Sequence, residues 1–226
     1  MDKRNEFAQR EPMTRKIFIG VPLHNGMMDS DCALALREVK EPHTLAIQTI
    51  SLLAFNFNML MIEAANNDHD WFVMVHGDVV PTSRGWVTTL IDMCERKKWR
   101  AISVPLAIKD DRGLTSTSVL RNLKTEKLSR TELEALPKTF GNAYSKENLG
   151  GPLLINTGLM AVDLRGFDLS LCHFHIIDKI IKMSDGKWGV ANLPEDWNFS
   201  CMMNDTGNEY GITREVEAFH KGFKAW

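Results

Sequence analysis

Residues 70–81 read Asp-Trp-Phe-Val-Met-Val-His-Gly-Asp-Val-Val-Pro, and this stretch decides the expected fold. The apolar run 71–75 predicts a strand buried on both faces, as in a parallel sheet. The run stops at His76-Gly77-Asp78, which places an imidazole and a carboxylate at the carboxyl end of that strand. Ligands bind at this end of the strands in open α/β sheets. Because nitrogen and oxygen ligands together suit Mn²⁺ or Zn²⁺, His76 and Asp78 are candidate metal ligands.

These residues also have a simpler interpretation, in which Asp78 begins a turn that Pro81 closes. Taken alone, the short motif favours that interpretation. The rest of the chain favours the metal-site interpretation instead, because strands and helices are expected to alternate around this strand. The pattern predicts strand 16–21, helix 44–66 with Thr44 as its cap, strand 71–75, helix 84–97 and strand 101–104. Such alternation is typical of an α/β fold with a mainly parallel, doubly wound sheet and helices on both faces.

The second half of the chain interrupts this alternation. Residues 107–150 predict an insertion or extension, with a capping box at Ser129-x-x-Glu132 that begins a short helix. Further on, the pattern predicts strand 153–162 interrupted at Asn156-Thr157-Gly158, helix 173–183, a helix that begins at Pro194-Glu195-Asp196 and a last strand near 213–219. Pro at the first helical position and acids in the first turn support the helix at 194.

Size and composition bound the class of protein. A chain of 226 residues predicts a single domain at 16–226, preceded by a mobile arm at 1–15. Lys and Arg number 27 against 29 Asp and Glu, so the overall charge gives no strong attraction to nucleic acid or membrane. The four cysteines are far apart in sequence, which favours reduced thiols. With no apolar run near the ~20 residues of a membrane span, we expect a cytoplasmic protein.

In this order, the pieces resemble those of the GT-A glycosyltransferases, especially the small family-2-like enzymes, over residues 16–223. The segment Ile19–Asn25 resembles the first strand and nucleotide-facing loop, and Phe72–Pro81 resembles the strand with the Asp-x-Asp metal motif. Asn156–Val162 is similar to the acceptor-side segment, Glu195-Asp196 to the Glu-Asp pair at a helix start, and His220-x-Gly222 to the late metal-ligand histidine.

The resemblance implies a GT-A fold and a metal-dependent transfer of sugar from a nucleotide-sugar donor to a hydroxyl acceptor. It implies Mn²⁺ or Mg²⁺ as the cofactor, with Asp78, His220 and His76 as candidate ligands. The expected contacts to the nucleotide are Pro22, His24, Asn25, His76 and Lys221. His76 replaces the first acid of the family's motif, which leaves open whether it ligates the metal or contacts only the nucleotide.

The resemblance also implies an acceptor side, to which the extension at 107–150 would contribute. Transfer with inversion needs a base for the acceptor hydroxyl, and Asp196 is the candidate, with Glu195 as its neighbour or substitute. The acceptor class stays open between a glycan, a small metabolite, a protein side chain and a hydroxymethylated DNA base. Nucleic acid is expected only in that last role.

Two other functions compete with this interpretation. A sugar-nucleotide nucleotidyltransferase shares a related sheet, but its first loop resembles a Gly-rich segment with Arg and Lys, which Pro22–Gly26 lacks. A non-catalytic sugar- or nucleotide-binding module is the other alternative, because the first acid of the metal motif is absent.

Overall fold

The computed structural model describes residues 15–23, 25–109, 112–122, 124–182 and 187–221. The predicted mobile arm lies outside these residues except for Arg15. Arg15 forms ion pairs of 2.6 Å with both Asp92 and Glu95. Within the described ranges, no helix is long and apolar enough to cross a membrane.

Six helices and fourteen strands are described. The helices are α1 (Ser30–Arg37), α2 (Leu53–Asn66), α3 (Trp86–Lys97), α4 (Arg130–Ala135), α5 (Asn142–Asn148) and α6 (Glu195–Asp205). The strands are β1 (Ile17–Leu23), β2 (His43–Thr49), β3 (Trp71–Val75), β4 (Val79–Pro81), β5 (Ala101–Ser103), β6 (Leu114–Arg121), β7 (Lys124–Ser129), β8 (Thr139–Gly141), β9 (Leu153–Leu154), β10 (Leu159–Asp163), β11 (Ile177–Lys182), β12 (Trp188–Leu193), β13 (Tyr210–Thr213) and β14 (Ala218–His220).

The core is a mixed α/β arrangement around one large sheet. Seven strands hydrogen-bond in the order β2-β1-β3-β10-β5-β13-β8. β1 is parallel to both β2 and β3, and β5 is parallel to β13. β10 is antiparallel to β3 and β5, and β8 is antiparallel to β13. Five of the seven strands therefore run in one direction, which makes the sheet mostly parallel.

Helices cover both faces of this sheet. In β3, Trp71, Val73 and Val75 pack into an apolar cluster with residues of α1 and α3. The alternate residues, Phe72 and Met74, pack into a second cluster with residues of α2 and α6. All five side chains are fully buried, as expected for a central strand with side chains alternating between two covered faces. The prediction of a buried strand at 71–75 is confirmed.

The predicted helix 44–66 is wrong in its first part. His43–Thr49 forms the edge strand β2, and the helix begins only at Leu53. Thr44 is therefore a strand residue, and its Oγ1 lies 3.0 Å from Nε2 of His69. Short apolar stretches fit either period, and here pairing with β1 selects the strand.

The C-terminal third contains two further corrections. Residues 177–182 form strand β11 of a hairpin with β12, so the predicted helix 173–183 is wrong. The last predicted strand, 213–219, is two strands: β13 lies in the main sheet and β14 pairs with β4. Pro194 is the N-cap of α6, one position before its predicted place, and the acids of the first turn are confirmed.

The region 107–150 is only partly an extension. β6 lies between β7 and β9 in a separate three-stranded sheet, whereas β8 returns to the edge of the main sheet. The capping box is confirmed: the side chain of Ser129 accepts from the backbone of Glu132, whose side chain accepts from the backbone of Ser129. The predicted interruption at 156–158 separates β9 from β10, which lie in different sheets.

Candidate functional site

Two neighbouring parallel strands end at a shared cleft. β1 ends at Leu23 and β3 ends at Val75. In the main sheet, β2 follows β1 in the chain and lies on one side of this strand pair, whereas β5 follows β3 and lies on the other side. The direction of the strand order therefore reverses between β1 and β3, and a crevice forms there. The cleft holds ≈ 660 Å³ and is lined by Pro22, Leu23, Asn25, Met27, Met28, Asp29, Ser30, Leu53, His76, Gly77, Asp78 and Lys221.

His76 places a neutral ring in this cleft. Its backbone N–H donates to the carbonyl of Gly158 at 2.9 Å, and its ring centroid lies 5.1 Å from that of Phe57. Burial lowers the pKa of His76 to about 4, against the opposing effect of Asp78. The Nε2 atom is buried and has no hydrogen-bond partner among the described residues. His76 therefore contributes an uncharged ring to the lining of the cleft.

Asp78 is surrounded by cationic and imidazole groups. Its Oδ2 lies 2.5 Å from Nζ of Lys109 and 3.6 Å from Nε2 of His220. Partial burial alone would raise the pKa of Asp78, but the proximity of His220 and the hydrogen bond from Lys109 outweigh it and hold the pKa well below its usual range. Asp78 is consequently an ionised carboxylate at the carboxyl end of β3.

The pairing of β14 with β4 brings His220 to this point, because His220 lies opposite Val79 in the register. Its Nδ1 lies 3.2 Å from the carbonyl oxygen of Ala107. An Nδ1–H that donates to a backbone carbonyl leaves Nε2 with its lone pair, which is the usual arrangement of a metal-binding histidine. The structure thus brings together two of the predicted metal ligands, Asp78 and His220.

Few side chains at this point could hold a cation. Within the described ranges, no group of three or more His, Cys, Asp or Glu side chains is arranged to hold a metal ion. If a cation bound at this point, Asp78 would offer an oxygen and His220 a nitrogen. Mg²⁺ bound at nucleotide sites commonly has one or two carboxylates, with phosphate oxygens and water as the other ligands.

Of the five predicted nucleotide contacts, His76 lines the cleft as described above, and the other four divide into two groups. Pro22, Asn25 and Lys221 line the cleft, while His24 lies outside the described residues. Asn25 Oδ1 accepts from the backbone of Met27 at 3.3 Å, which shapes the loop after β1. Lys221 donates its backbone N–H to the carbonyl of Asp78 at 2.8 Å. Its side chain is paired with two acids at the start of α1.

The start of α1 was not predicted as part of the site. The carboxylate of Asp29 caps α1 by accepting from the backbone of Asp31 at 2.9 Å. The backbone N–H of Asp29 donates to the carbonyl of Gly77 at 2.7 Å. A Cβ on Gly77 would lie 2.3 Å from Cδ2 of Leu23, so glycine allows β1, β3 and α1 to meet here. The sequence signal that could have predicted this helix start is an Asp placed shortly before two apolar residues at helical spacing, Cys32 and Leu36.

Asp196 lies at the start of α6 and is not among the described residues that line the cleft. Burial, reinforced by the charge of Glu195, raises the pKa of Asp196 to about 7, although its Oδ1 accepts from the N–H of Trp197 at 2.8 Å. Lys127 of β7 lies 5.8 Å from the ring centroid of Trp197. These groups form a polar surface between α6 and the three-stranded sheet.

Hydrogen bonds connect α6 to the cleft through the segment after β9. The hydroxyl of Ser200 donates to the carbonyl of Asp196 at 2.9 Å and accepts from the N–H of Ile155 at 3.0 Å. Three residues later, the carbonyl of Gly158 accepts from His76. The buried side chain of Asn156 holds this turn by donating to the carbonyl of Val104 at 2.8 Å. Both candidate halves of the site are therefore held by one buried segment.

Comparisons with known proteins give a fold and no family. No protein-family model matches the chain, and a search of curated proteins finds no significant match. Among solved structures, A197 from STIV aligns over 92% of this chain and 86% of its own, with 14% identity and a TM-score of 0.56. This likeness shows the fold alone.

A second solved structure aligns more loosely. CMP:2-keto-3-deoxy-manno-octonic acid synthetase complexed with CTP covers 87% of this chain and 88% of its own, with 12% identity and a TM-score of 0.43. At that score, the likeness carries no argument about this chain.

Proposed function

We propose that this chain is a GT-A glycosyltransferase that binds a nucleotide-sugar donor in the cleft and transfers the sugar to a hydroxyl acceptor. One observation carries the proposal: an ionised carboxylate, Asp78, meets the imidazole of His220 at the carboxyl ends of two parallel strands. In open α/β sheets this is where nucleotides bind. The large, mostly parallel sheet with helices on both faces supports the same conclusion.

The cleft offers different surfaces to the two ends of a donor. Leu23, Met27, Met28 and Leu53 supply apolar walls for a nucleoside. Asp78, with its basic neighbours, lines the same cleft and marks where a diphosphate would lie. Mn²⁺ or Mg²⁺ held by Asp78 and His220 would stabilise, as a Lewis acid, the charge that builds on the departing diphosphate. The ring of His76, which lines the cleft, would contact the nucleotide.

The acceptor is proposed to bind on the side of α6. A general base works best when its pKa lies near the working pH, and the pKa of Asp196 is raised to about 7. Asp196 would take the proton from the acceptor hydroxyl in an inverting transfer, with Glu195 as its neighbour. The polar surface beside Lys127 and Trp197 suits a hydroxyl-rich acceptor.

The decisive experiment uses Asp78→Asn. We would measure the thermal stability of wild type and variant with each nucleoside diphosphate and nucleotide sugar, with and without Mn²⁺. A ligand at ~100 times its Kd adds ~2.7 kcal/mol of apparent stability. We expect one nucleotide class to stabilise the wild type in a Mn²⁺-dependent manner, and Asp78→Asn to lose this effect while its circular dichroism is unchanged.

The matched control is Asp92→Asn, an exposed acid of α3 that pairs with Arg15 near the amino end of β1. This control should respond to ligands as the wild type does. An Asp78→Asn protein that keeps the Mn²⁺-dependent response contradicts the proposal. Pyrophosphate-dependent exchange with a nucleoside triphosphate would instead indicate a nucleotidyltransferase, and donor binding without hydrolysis or transfer would indicate a binding module.

A further inference from the structure

Lys109 provides a positive charge at the position where a cation would approach Asp78. Its ammonium lies 2.5 Å from Oδ2 of Asp78, the same oxygen that faces Nε2 of His220. The side chain of Lys109 comes from the segment after β5, which is distant in sequence from both partners. Nothing in the local sequence marks this lysine as part of the site.

The backbone before Lys109 is held in place. Leu106 donates to the hydroxyl of Ser116 at 3.0 Å and accepts from the N–H of Ser116 at 2.8 Å. Ile108 donates to the carbonyl of Leu114 at 3.0 Å. Between them, the carbonyl of Ala107 faces Nδ1 of His220. The same short segment therefore orients the imidazole of His220 and delivers an ammonium to Asp78.

A divalent cation and this ammonium compete for one oxygen. A metal ion that binds Asp78 and His220 would lie close to Nζ of Lys109, and like charges at such distances repel strongly when partly shielded from water. The conflict disappears when a diphosphate is present, because its oxygens can accept from the ammonium and ligate the metal at the same time. A lysine ammonium is a usual point-charge partner of phosphate.

We propose that Lys109 keeps divalent cations away from Asp78 in the nucleotide-free protein and moves to the diphosphate when the donor binds, so that metal and donor bind together. The donor half of this inference rests on the proposed function. The exclusion of the metal ion rests only on the contacts of Asp78, Lys109 and His220. Lys109 is thus a positioning residue for the cation and a contact for the phosphates.

The test titrates Mn²⁺ into the nucleotide-free protein and measures free Mn²⁺ by electron paramagnetic resonance. Lys109→Ala should bind Mn²⁺ about tenfold more tightly than wild type, because the repulsion is removed. Lys109→Arg keeps the charge and should bind Mn²⁺ as weakly as wild type. The control Lys138→Ala removes an exposed lysine paired with Glu215 at 3.8 Å and should change nothing.

A second measurement follows nucleoside diphosphates, with UDP, GDP, CDP and ADP as probes in the presence of Mn²⁺. Lys109→Ala should weaken binding of the preferred nucleotide about tenfold, the opposite direction to its effect on Mn²⁺. Equal Mn²⁺ affinity of wild type and Lys109→Ala overturns the inference. A wild type that binds none of the four nucleotides refutes the proposed function. The Mn²⁺ titration needs no nucleotide, so it tests separately whether Lys109 keeps the metal ion away from Asp78.

Discussion

At the scale of the residue, chemistry depends on what surrounds each group. His76 and Asp78 are two positions apart, yet burial keeps His76 neutral, with its pKa lowered to about 4, while basic neighbours keep Asp78 ionised. The sequence shows that these two residues are close together, but it does not show that one is neutral and the other ionised. His76 also contacts Phe57 of α2, which ties the ring to the core on one side of the sheet.

The raised pKa of Asp196 predicts a stability effect that depends on pH. The carboxyl group has a pKa of about 7 in the folded protein against an ordinary value of 3.8. Between these values the folded protein binds a proton that the unfolded chain has lost, so this residue makes stability fall as pH rises from about 4 to about 7. Above that range the ionised group is a net cost, at ~1.4 kcal/mol for each unit of pKa difference.

Asp196→Asn should therefore leave stability similar at pH 3.5 or below and increase it at pH 8 by at least ~1 kcal/mol, because the amide resembles the protonated acid. Urea unfolding at several pH values measures this. Asn204→Ala, at the other end of α6, removes no ionisable group and should change stability by the same amount at every pH. A constant difference between Asp196→Asn and wild type across this range would mean that the pKa of Asp196 is not raised.

At the scale of the element, local signals worked where the determinants are a few residues apart. The capping box at Ser129 and Glu132 and the acidic first turn of α6 were both predicted, because a helix start depends on nearby side chains and amides. The strands β2 and β11 were predicted as helix. Their pairing partners, which a local pattern does not contain, determine their structure.

Ser129→Ala should destabilise the protein by ~1 kcal/mol, the usual cost of removing an N-cap side chain. The hydroxyl accepts from the N–H of Glu132 at 3.2 Å and lies 2.7 Å from its Oε2, and alanine removes both contacts. Urea unfolding gives the difference in free energy. Thr131→Ala changes an exposed residue of the same helix to a better helix former and should not destabilise. Equal losses in the two variants would show that the box contributes nothing.

At the scale of the whole molecule, the sheet divides the chain into parts of different stability. β3 and β10 lie in the middle of the seven-stranded sheet, between apolar clusters on both faces. The hairpin β11–β12 forms a two-stranded sheet of its own, and the side chain of Ile180 is 78% exposed. Local opening costs least where few apolar groups are buried.

Amide hydrogen exchange should follow this division. We expect the amides of β3 and β10 to exchange slowest, near the rate set by global unfolding, and those of β11 and β12 to exchange orders of magnitude faster. Mass spectrometry of peptic fragments resolves these segments. If β11–β12 were protected as strongly as β3, the hairpin would have to be part of the cooperative core.

The sequence by itself determined the buried strand 71–75, the place of Asp78 at its carboxyl end and the starts of α4 and α6, because neighbours within a few positions set each of them. The resemblance also pointed to His220. Only the tertiary structure decided that residues 43–49 are a strand, that β10 runs antiparallel in the middle of the sheet, and that Lys109 reaches Asp78. These features depend on contacts between segments far apart in sequence, and such contacts form only when the whole sheet is assembled.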